Sequence, residues 1–319
     1  MDPVIHPCDG RPELEEGNTS FRAFDTVVAL RAFGPKGIVA AALGRAEQSC
    51  HGLEGLFSRT RASSDVGRLN NAESAWVEID PRTAGVLRAA KRYCEASEGA
   101  FDITIGALTE LWDFKEGRVP TEEALREALA TVDHHGVEVH ARCGGNWFAR
   151  LSDPRARLDL GGIAKGWMAD ELVRSLKQEG MTGAVVSLGG DVAVSGERPD
   201  GDPWRVGIAP QGASDGSVPY ATIVELAAGA VATSGITERC FEQDGGSYHH
   251  ILDPKTGLPI DAEFPAVAVT AARAIDAEGF STTLLALGLE RSRALALRHP
   301  EILQAHFLRE DGTFVLLRP

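Results

Sequence analysis

Between residues 184 and 252 the chain breaks into short apolar or β-branched segments (184–194, 204–209, 221–226, 230–233, 239–243 and 247–252) separated by glycine or proline clusters. Segments this short are below the usual length of a packed helix and are bounded by turn formers. They predict a mostly antiparallel or mixed sheet. Helical periodicity is confined to other stretches. Apolar residues recur at Ile38, Val39, Ala42, Leu43, Ala46, Cys50, Leu53 and Phe57, and again at Val86, Leu87, Ala90, Tyr93 and Cys94 within residues 81–97. Thr121 followed by Glu122 and Glu123 reads as the capped start of a third helix, running to about residue 132. Residues 21–33 read as a strand closed by the turn Gly34-Pro35-Lys36-Gly37, and residues 267–271, 303–307 and 313–317 as further strands. Helices are expected at 274–287 and 291–298. The fold class is therefore α+β, with residues 1–20 as an acidic tail and 21–319 as the folded unit.

The charge balance narrows the choice of partner. With 46 acidic against 32 basic side chains, the formal charge of −14 repels nucleic acid and anionic membrane surfaces. An anionic cofactor needs a local reversal of that field by backbone N–H groups, a lysine or a divalent cation. The N-terminal stretch has no basic region followed by an apolar one, and the five cysteines are widely spaced with no C-x-x-C pair. A soluble cytoplasmic protein with reduced thiols and no membrane anchor is the expectation.

The stretch Leu158-Asp159-Leu160-Gly161-Gly162-Ile163-Ala164-Lys165-Gly166 reads as strand, glycine turn and helix start, with apolar residues 156–160 before the turn and a helix over 162–179. A helix N-terminus beside a lysine suits phosphate. Asp159 suits a ribose hydroxyl or a flavin N–H. The alternative is a plain strand-to-helix turn with a solvated lysine. In His249-His250-Ile251-Leu252-Asp253-Pro254-Lys255-Thr256-Gly257 an imidazole and a carboxylate flank a turn. His250 can shuttle a proton or bind phosphate, and Asp253 can act with it or merely cap the turn. Gly99-Ala100-Phe101-Asp102-Ile103-Thr104 and Ala232-Thr233-Ser234-Gly235 are polar islands that suit the lining of a cleft, and Ser187-Leu188-Gly189-Gly190-Asp191 offers another close approach of backbone to ligand. Glu278 and Thr282, four residues apart, place two hard oxygen donors on one helix face, as Mg²⁺ requires, or else serve as caps.

Taken in order, these elements resemble the FAD:protein FMN transferases of the ApbE type over residues 20–318. The resemblance rests on Phe57-Ser58, Ser64-Asp65, Leu69-Asn70 and the G-A-F-D-I-T, L-D-L-G-G-I-A-K-G, L-G-G-D, A-T-S-G, H-I-L-D-P-K-T-G and S-T stretches. It implies a two-lobed α+β fold of mixed sheet with FAD in the cleft between lobes and Mg²⁺ at its diphosphate. It assigns FAD contacts to Ala100, Phe101, Asp102, Asp159, Lys165, Ser234, His250 and Ile251, and metal ligation to the Gly162 carbonyl, Glu278 and Thr282. His250 and Asp253 become the catalytic pair, with FMN passing from FAD to a threonine or serine of an acceptor flavoprotein and AMP leaving. Water in place of the acceptor makes the same site an FAD pyrophosphatase, and loss of the metal makes it a non-catalytic FAD-binding protein. Glu278 stands where the family usually has aspartate, and Thr60 where an aromatic residue often covers the flavin.

Overall fold

The computed structural model describes residues 13–210 and 220–319. In chain order the elements are β1 (Leu14–Ala23), β2 (Thr26–Pro35), α1 (Val39–Phe57), α2 (Asp65–Asn70), β3 (Val77–Ile79), α3 (Pro81–Ala96), α4 (Gly106–Thr109), α5 (Glu122–Leu129), a 3-10 turn (His134–Gly136), β4 (Val137–Ala141), β5 (Trp147–Leu151) and α6 (Ala164–Gln178). They continue with β6 (Gly183–Leu188), β7 (Asp191–Gly196), β8 (Trp204–Ile208), β9 (Thr222–Leu226), β10 (Gly229–Gly235), β11 (Cys240–Gln243), β12 (Gly246–His249), β13 (Ala266–Ala271), α7 (Ala274–Ala296), β14 (Ile302–Leu308) and β15 (Phe314–Leu317).

Eight strands form one sheet in the order β1-β2-β6-β7-β10-β13-β14-β15, and every neighbouring pair is antiparallel. The remaining named pairings, β3-β5-β4, β8-β9 and β11-β12, are antiparallel too. Antiparallel pairing of all the named strands is the first of the two options the short segments left open.

The sheet is covered on both faces. Along β13, Val267, Val269 and Ala271 join the main core, while Ala266 and Ala268 join a second cluster built on Trp204, Val206 and Ile208 of β8 and Val224 and Leu226 of β9. Successive strand residues point to opposite faces. β13 is buried at every position, and all but Thr270 of Ala-Val-Ala-Val-Thr-Ala are apolar, as burial on both faces favours. Helices α1, α6 and α7 make the opposite layer. The main core is continuous from Val28 to Leu317 and takes in Ile79, Ala149 and Leu151 of the small three-stranded sheet.

Several local readings change. Residues 14–20, assigned by sequence to the acidic tail, form most of β1, and residues 1–12 lie outside those described. The single strand read over 21–33 is a hairpin turning at Phe24 and Asp25, both at positive φ (53° and 57°). Two such residues make the turn whose twist suits a two-residue hairpin. The 156–160 stretch is extended but pairs only through the isolated parallel bridge Ile105–Arg157. The two C-terminal helices expected over 274–287 and 291–298 are both present, separated within the span α7 by a non-helical kink at Gly288 (φ 70°, ψ 175°).

Gly166 is where α6 meets α7: a Cβ there lies 2.5 Å from the Ala274 carbonyl oxygen and 2.8 Å from Ile275 Cα. Backbone cannot yield as a side chain does. Gly166→Ala is therefore expected to lose about 1–3 kcal/mol by overpacking, seen as a lower midpoint in urea; an unchanged midpoint contradicts this packing.

Candidate active site

The charged centre of the molecule is assembled from four distant segments. Lys165, in the first turn of α6, is ion-paired with Asp191 and lies 3.5 Å from Glu278 Oε1. Asp191 is delivered by the β6–β7 hairpin, whose two turn residues Gly189 and Gly190 have φ of 59° and 97°. That explains the glycine pair without a ligand: only glycine takes both positions freely. The other Asp191 oxygen accepts from the Thr233 N–H at 3.0 Å, tying the hairpin to β10. Burial alone depresses the Lys165 ammonium, but Asp191 and then Glu278 more than reverse this, so it stays protonated with its pKa raised. For the Glu278 carboxyl, burial raises the pKa against the opposing pull of Lys165.

Glu278 itself divides its oxygens. Oε2 accepts from the Gly166 N–H at 2.6 Å, so this carboxylate from α7 caps the N-terminus of α6. The free helix end expected for phosphate is thus occupied by an acidic side chain. Oε1 is buried and has no hydrogen-bond partner among the described residues. One turn further on, a hydroxyl chain runs outward from Glu278. Ser281 Oγ donates to the Glu278 carbonyl at 2.9 Å, and Ser234 Oγ lies 2.8 Å from both Ser281 Oγ and Thr282 Oγ1. One proton per hydroxyl gives one consistent assignment: Ser234 donates to Ser281, and Thr282 donates to Ser234. The Thr282 lone pairs are then left without a donor. Gly162 closes this corner, its Cβ direction meeting Phe101 Cε2 at 2.9 Å and Thr282 Oγ1 at 3.8 Å.

The other expected site residues divide into those beside this centre and those tied up elsewhere. His250 follows β12, its N–H donating to the Arg239 carbonyl at 3.0 Å, and its Nδ1 is buried with no hydrogen-bond partner among the described residues. Burial, then the Arg239 charge and, more weakly, Lys165 lower its pKa to about 4, so the imidazole is neutral at pH 7. Ile251 packs partly buried against the main core. Asp253 serves its own turn, accepting from Lys255 N at 2.9 Å and Thr256 Oγ1 at 3.4 Å. Asp159 accepts from Gly161 N at 2.8 Å and Thr109 Oγ1 at 3.0 Å and lies 3.3 Å from Arg59 Nε. Asp102 binds Thr104 and His134, so its carboxylate is spent inside the fold, while Ala100 continues the turn from Ser97.

Sequence reasoning left Asp191, Ser281 and Arg59 without roles. The acid after a glycine pair signalled Asp191 only as part of a motif. Nothing local marks its pairing with a lysine on another element.

The profile of the ApbE family matches residues 24–307. The chain belongs to the ApbE family. It is 35% identical to a Treponema pallidum protein named FAD:protein FMN transferase, over 93% of this chain and 86% of that one. It is 36% identical to a Vibrio cholerae protein of the same name, over 75% and 71% respectively. Two solved ApbE structures share the architecture. The flavin transferase ApbE from Vibrio cholerae superposes with a TM-score of 0.81 at 27% identity, covering 96% of this chain and 97% of that one. The apo flavinyl transferase ApbE from Pseudomonas stutzeri gives 0.80 at 29%, covering 96% and 95%. Like them, this ApbE-family chain is a mixture of helix and sheet.

The neutral state of His250 has a measurable consequence. Its folded pKa lies below the ordinary 6.5, so the unfolded chain takes up the proton first. Stability from this group is complete above pH 6.5, is lost as pH falls towards 4, and levels off below. The loss amounts to about 3 kcal/mol at most, at ~1.4 kcal/mol per unit. His250→Gln should show a correspondingly smaller drop in urea midpoint between pH 7 and 4.5; an equal drop in both proteins contradicts the burial of this ring.

Proposed function

We propose that the protein is a magnesium-dependent FAD:protein FMN transferase, moving FMN from FAD to a threonine or serine hydroxyl of an acceptor flavoprotein with release of AMP. The observation that carries this reading is Glu278 Oε1, a buried carboxylate oxygen that, among the described residues, accepts no hydrogen bond and has only the Lys165 charge 3.5 Å away, one helical turn from the Thr282 hydroxyl. Hard oxygen donors of this kind fit Mg²⁺, and the Gly162 carbonyl, Glu278 and Thr282 are the residues to hold it. Glutamate in place of the family's usual aspartate fits because its longer side chain also reaches the Gly166 N–H. When bound, the cation supplies charge neutralisation at the FAD diphosphate.

The protein's own residues do the rest. Lys165, kept protonated by Asp191, adds a fixed positive charge beside the transferred phosphoryl group. Ser234 holds Thr282 in orientation through their hydrogen bond. Phe101 packs against Gly162 and, with Ala100, Asp102, Asp159 and Ile251, lines the side of the FAD site expected from the family. His250 presents a neutral imidazole with an open nitrogen to take the acceptor hydroxyl's proton as the new O–P bond forms. The bond to the AMP phosphate breaks and AMP leaves with the electron pair. Asp253 contributes by fixing the turn after His250.

Among the described residues no helix is long and apolar enough to cross a membrane. Among the described residues Cys50, Cys94, Cys143 and Cys240 are free thiols; a reducing, cytoplasmic setting is part of this reading.

The test is incubation of the protein with FAD and Mg²⁺, with and without a flavin-acceptor domain, following AMP and in-gel flavin fluorescence. Metal-dependent AMP and a fluorescent acceptor band are expected. AMP with only free FMN makes the protein a pyrophosphatase, and intact FAD in the presence of a competent acceptor makes it a binding protein.

A further inference from the structure

Away from the lysine–carboxylate centre, a second polar cluster sits on the 3-10 turn His134–Gly136. Asp102 is fully committed there: Oδ1 accepts from Thr104 N at 2.8 Å and Thr104 Oγ1 at 2.6 Å, and Oδ2 accepts from His134 N at 3.2 Å and lies 2.9 Å from His134 Nδ1. A carboxylate only accepts, apart from its rare protonated form, so His134 donates from Nδ1 and carries its lone pair on Nε2. His134 is 8% exposed. Its Nε2 is buried and has no hydrogen-bond partner among the described residues. A buried acceptor left unpaired costs about 1–3 kcal/mol. The residues on either side of it in the chain, Asp133 and His135, bring further ligand atoms close by.

Ligand atoms of Asp133, His134 and His135 all lie within 4.8 Å of one another, and the two imidazole rings are 4.2 Å apart between centroids. Asp133 uses one oxygen, Oδ1, to accept from His135 N at 2.9 Å, and its own N–H donates to Thr104 Oγ1 at 2.9 Å. The turn is therefore held without spending the other carboxylate oxygen. Asp133 and His135 are exposed, so an ion can reach them from solvent. A carboxylate bonded to the far nitrogen of an imidazole orients the ring and raises its basicity as a metal ligand.

We propose that Asp133, His134 and His135 form a second cation site. Two imidazoles and one carboxylate, with a coordination position left for water, suit Zn²⁺ or another late divalent transition ion and not Mg²⁺. Cys94 also lies within reach of Asp102 and His134. Burial raises its thiol pKa further from the thiolate that a metal needs, which favours the solvent side of the turn. Asp102 joins this site to the Phe101–Gly162 wall of the first one.

The site is tested on the full chain, stripped with a chelator and titrated with Co²⁺ in excess Mg²⁺, by visible d–d absorption and by equilibrium counting of bound cobalt. One bound Co²⁺ that Zn²⁺ displaces is expected. D133N, which keeps the cap to His135, and H135A should each weaken binding at least ~10-fold, whereas C94S should leave it unchanged. Absence of bound Co²⁺ overturns the proposal. So does cobalt binding that C94S abolishes and D133N and H135A leave intact, since the ion then belongs to the buried set.

Discussion

Glu278→Gln is expected to lower Mg²⁺-dependent AMP release from FAD by roughly 10²–10³-fold, the range seen when one group stabilising charge in a reacting site is removed. The same change should leave the urea midpoint within about 1 kcal/mol of the parent. The amide oxygen can still accept from Gly166 N, Lys165 keeps Asp191, and a charge that burial disfavours is gone. Loss of activity with stability retained separates a metal ligand from a helix cap. Full activity in the variant sinks the metal assignment, whereas a large loss of stability makes Glu278 chiefly a structural cap.

Lys165→Met should have the largest effect on folding. It leaves the carboxylates of Asp191 and Glu278, 5% and 3% exposed, without the cation that both face. Removing one partner of a buried ionic group typically costs about 3–5 kcal/mol, a large share of a usual total of roughly 5–15 kcal/mol. The double variant Lys165→Met/Glu278→Gln should recover part of that loss, because one of the two stranded charges is then neutral. Denaturation of the two single variants and the double variant measures this coupling. Strict additivity contradicts a three-charge cluster, and a Lys165→Met protein as stable as its parent contradicts the burial.

The parts of the fold that were legible in the sequence are those governed by neighbours along the chain. Thr121 does cap α5, accepting from Ala124 N, and the apolar spacing from Val39 to Phe57 does mark α1. Burial of β13 on both faces is written in its run of alanine and valine, interrupted only by Thr270. The β1–β2 hairpin was missed because Phe24-Asp25 carries none of the usual glycine or asparagine signal for a turn at positive φ. Both faces at the start of β1 carry a charged residue, Glu15 and the next residue Glu16, and so resemble a tail. At the site, the four-residue spacing of Glu278 and Thr282 is a local property: the Thr282 hydroxyl joins the serine chain, while Glu278 reaches it only through its main-chain carbonyl. The pairing of Lys165 with Asp191, the capping of α6 by a residue of α7, and the capture of Asp102 by His134 are contacts between elements that only tertiary packing brings together. No spacing rule reports them.

The assembly of the charged centre from α6, β7, β10 and α7 also ties activity to completeness of the chain during synthesis. Until residues 274–282 have emerged and docked, Gly166 has no cap, Lys165 has one counter-charge instead of two, and two of the three proposed metal ligands do not yet exist. If the proposed metal site is right, a nascent or truncated chain would carry the glycine turn and its lysine while still lacking Glu278 and Thr282.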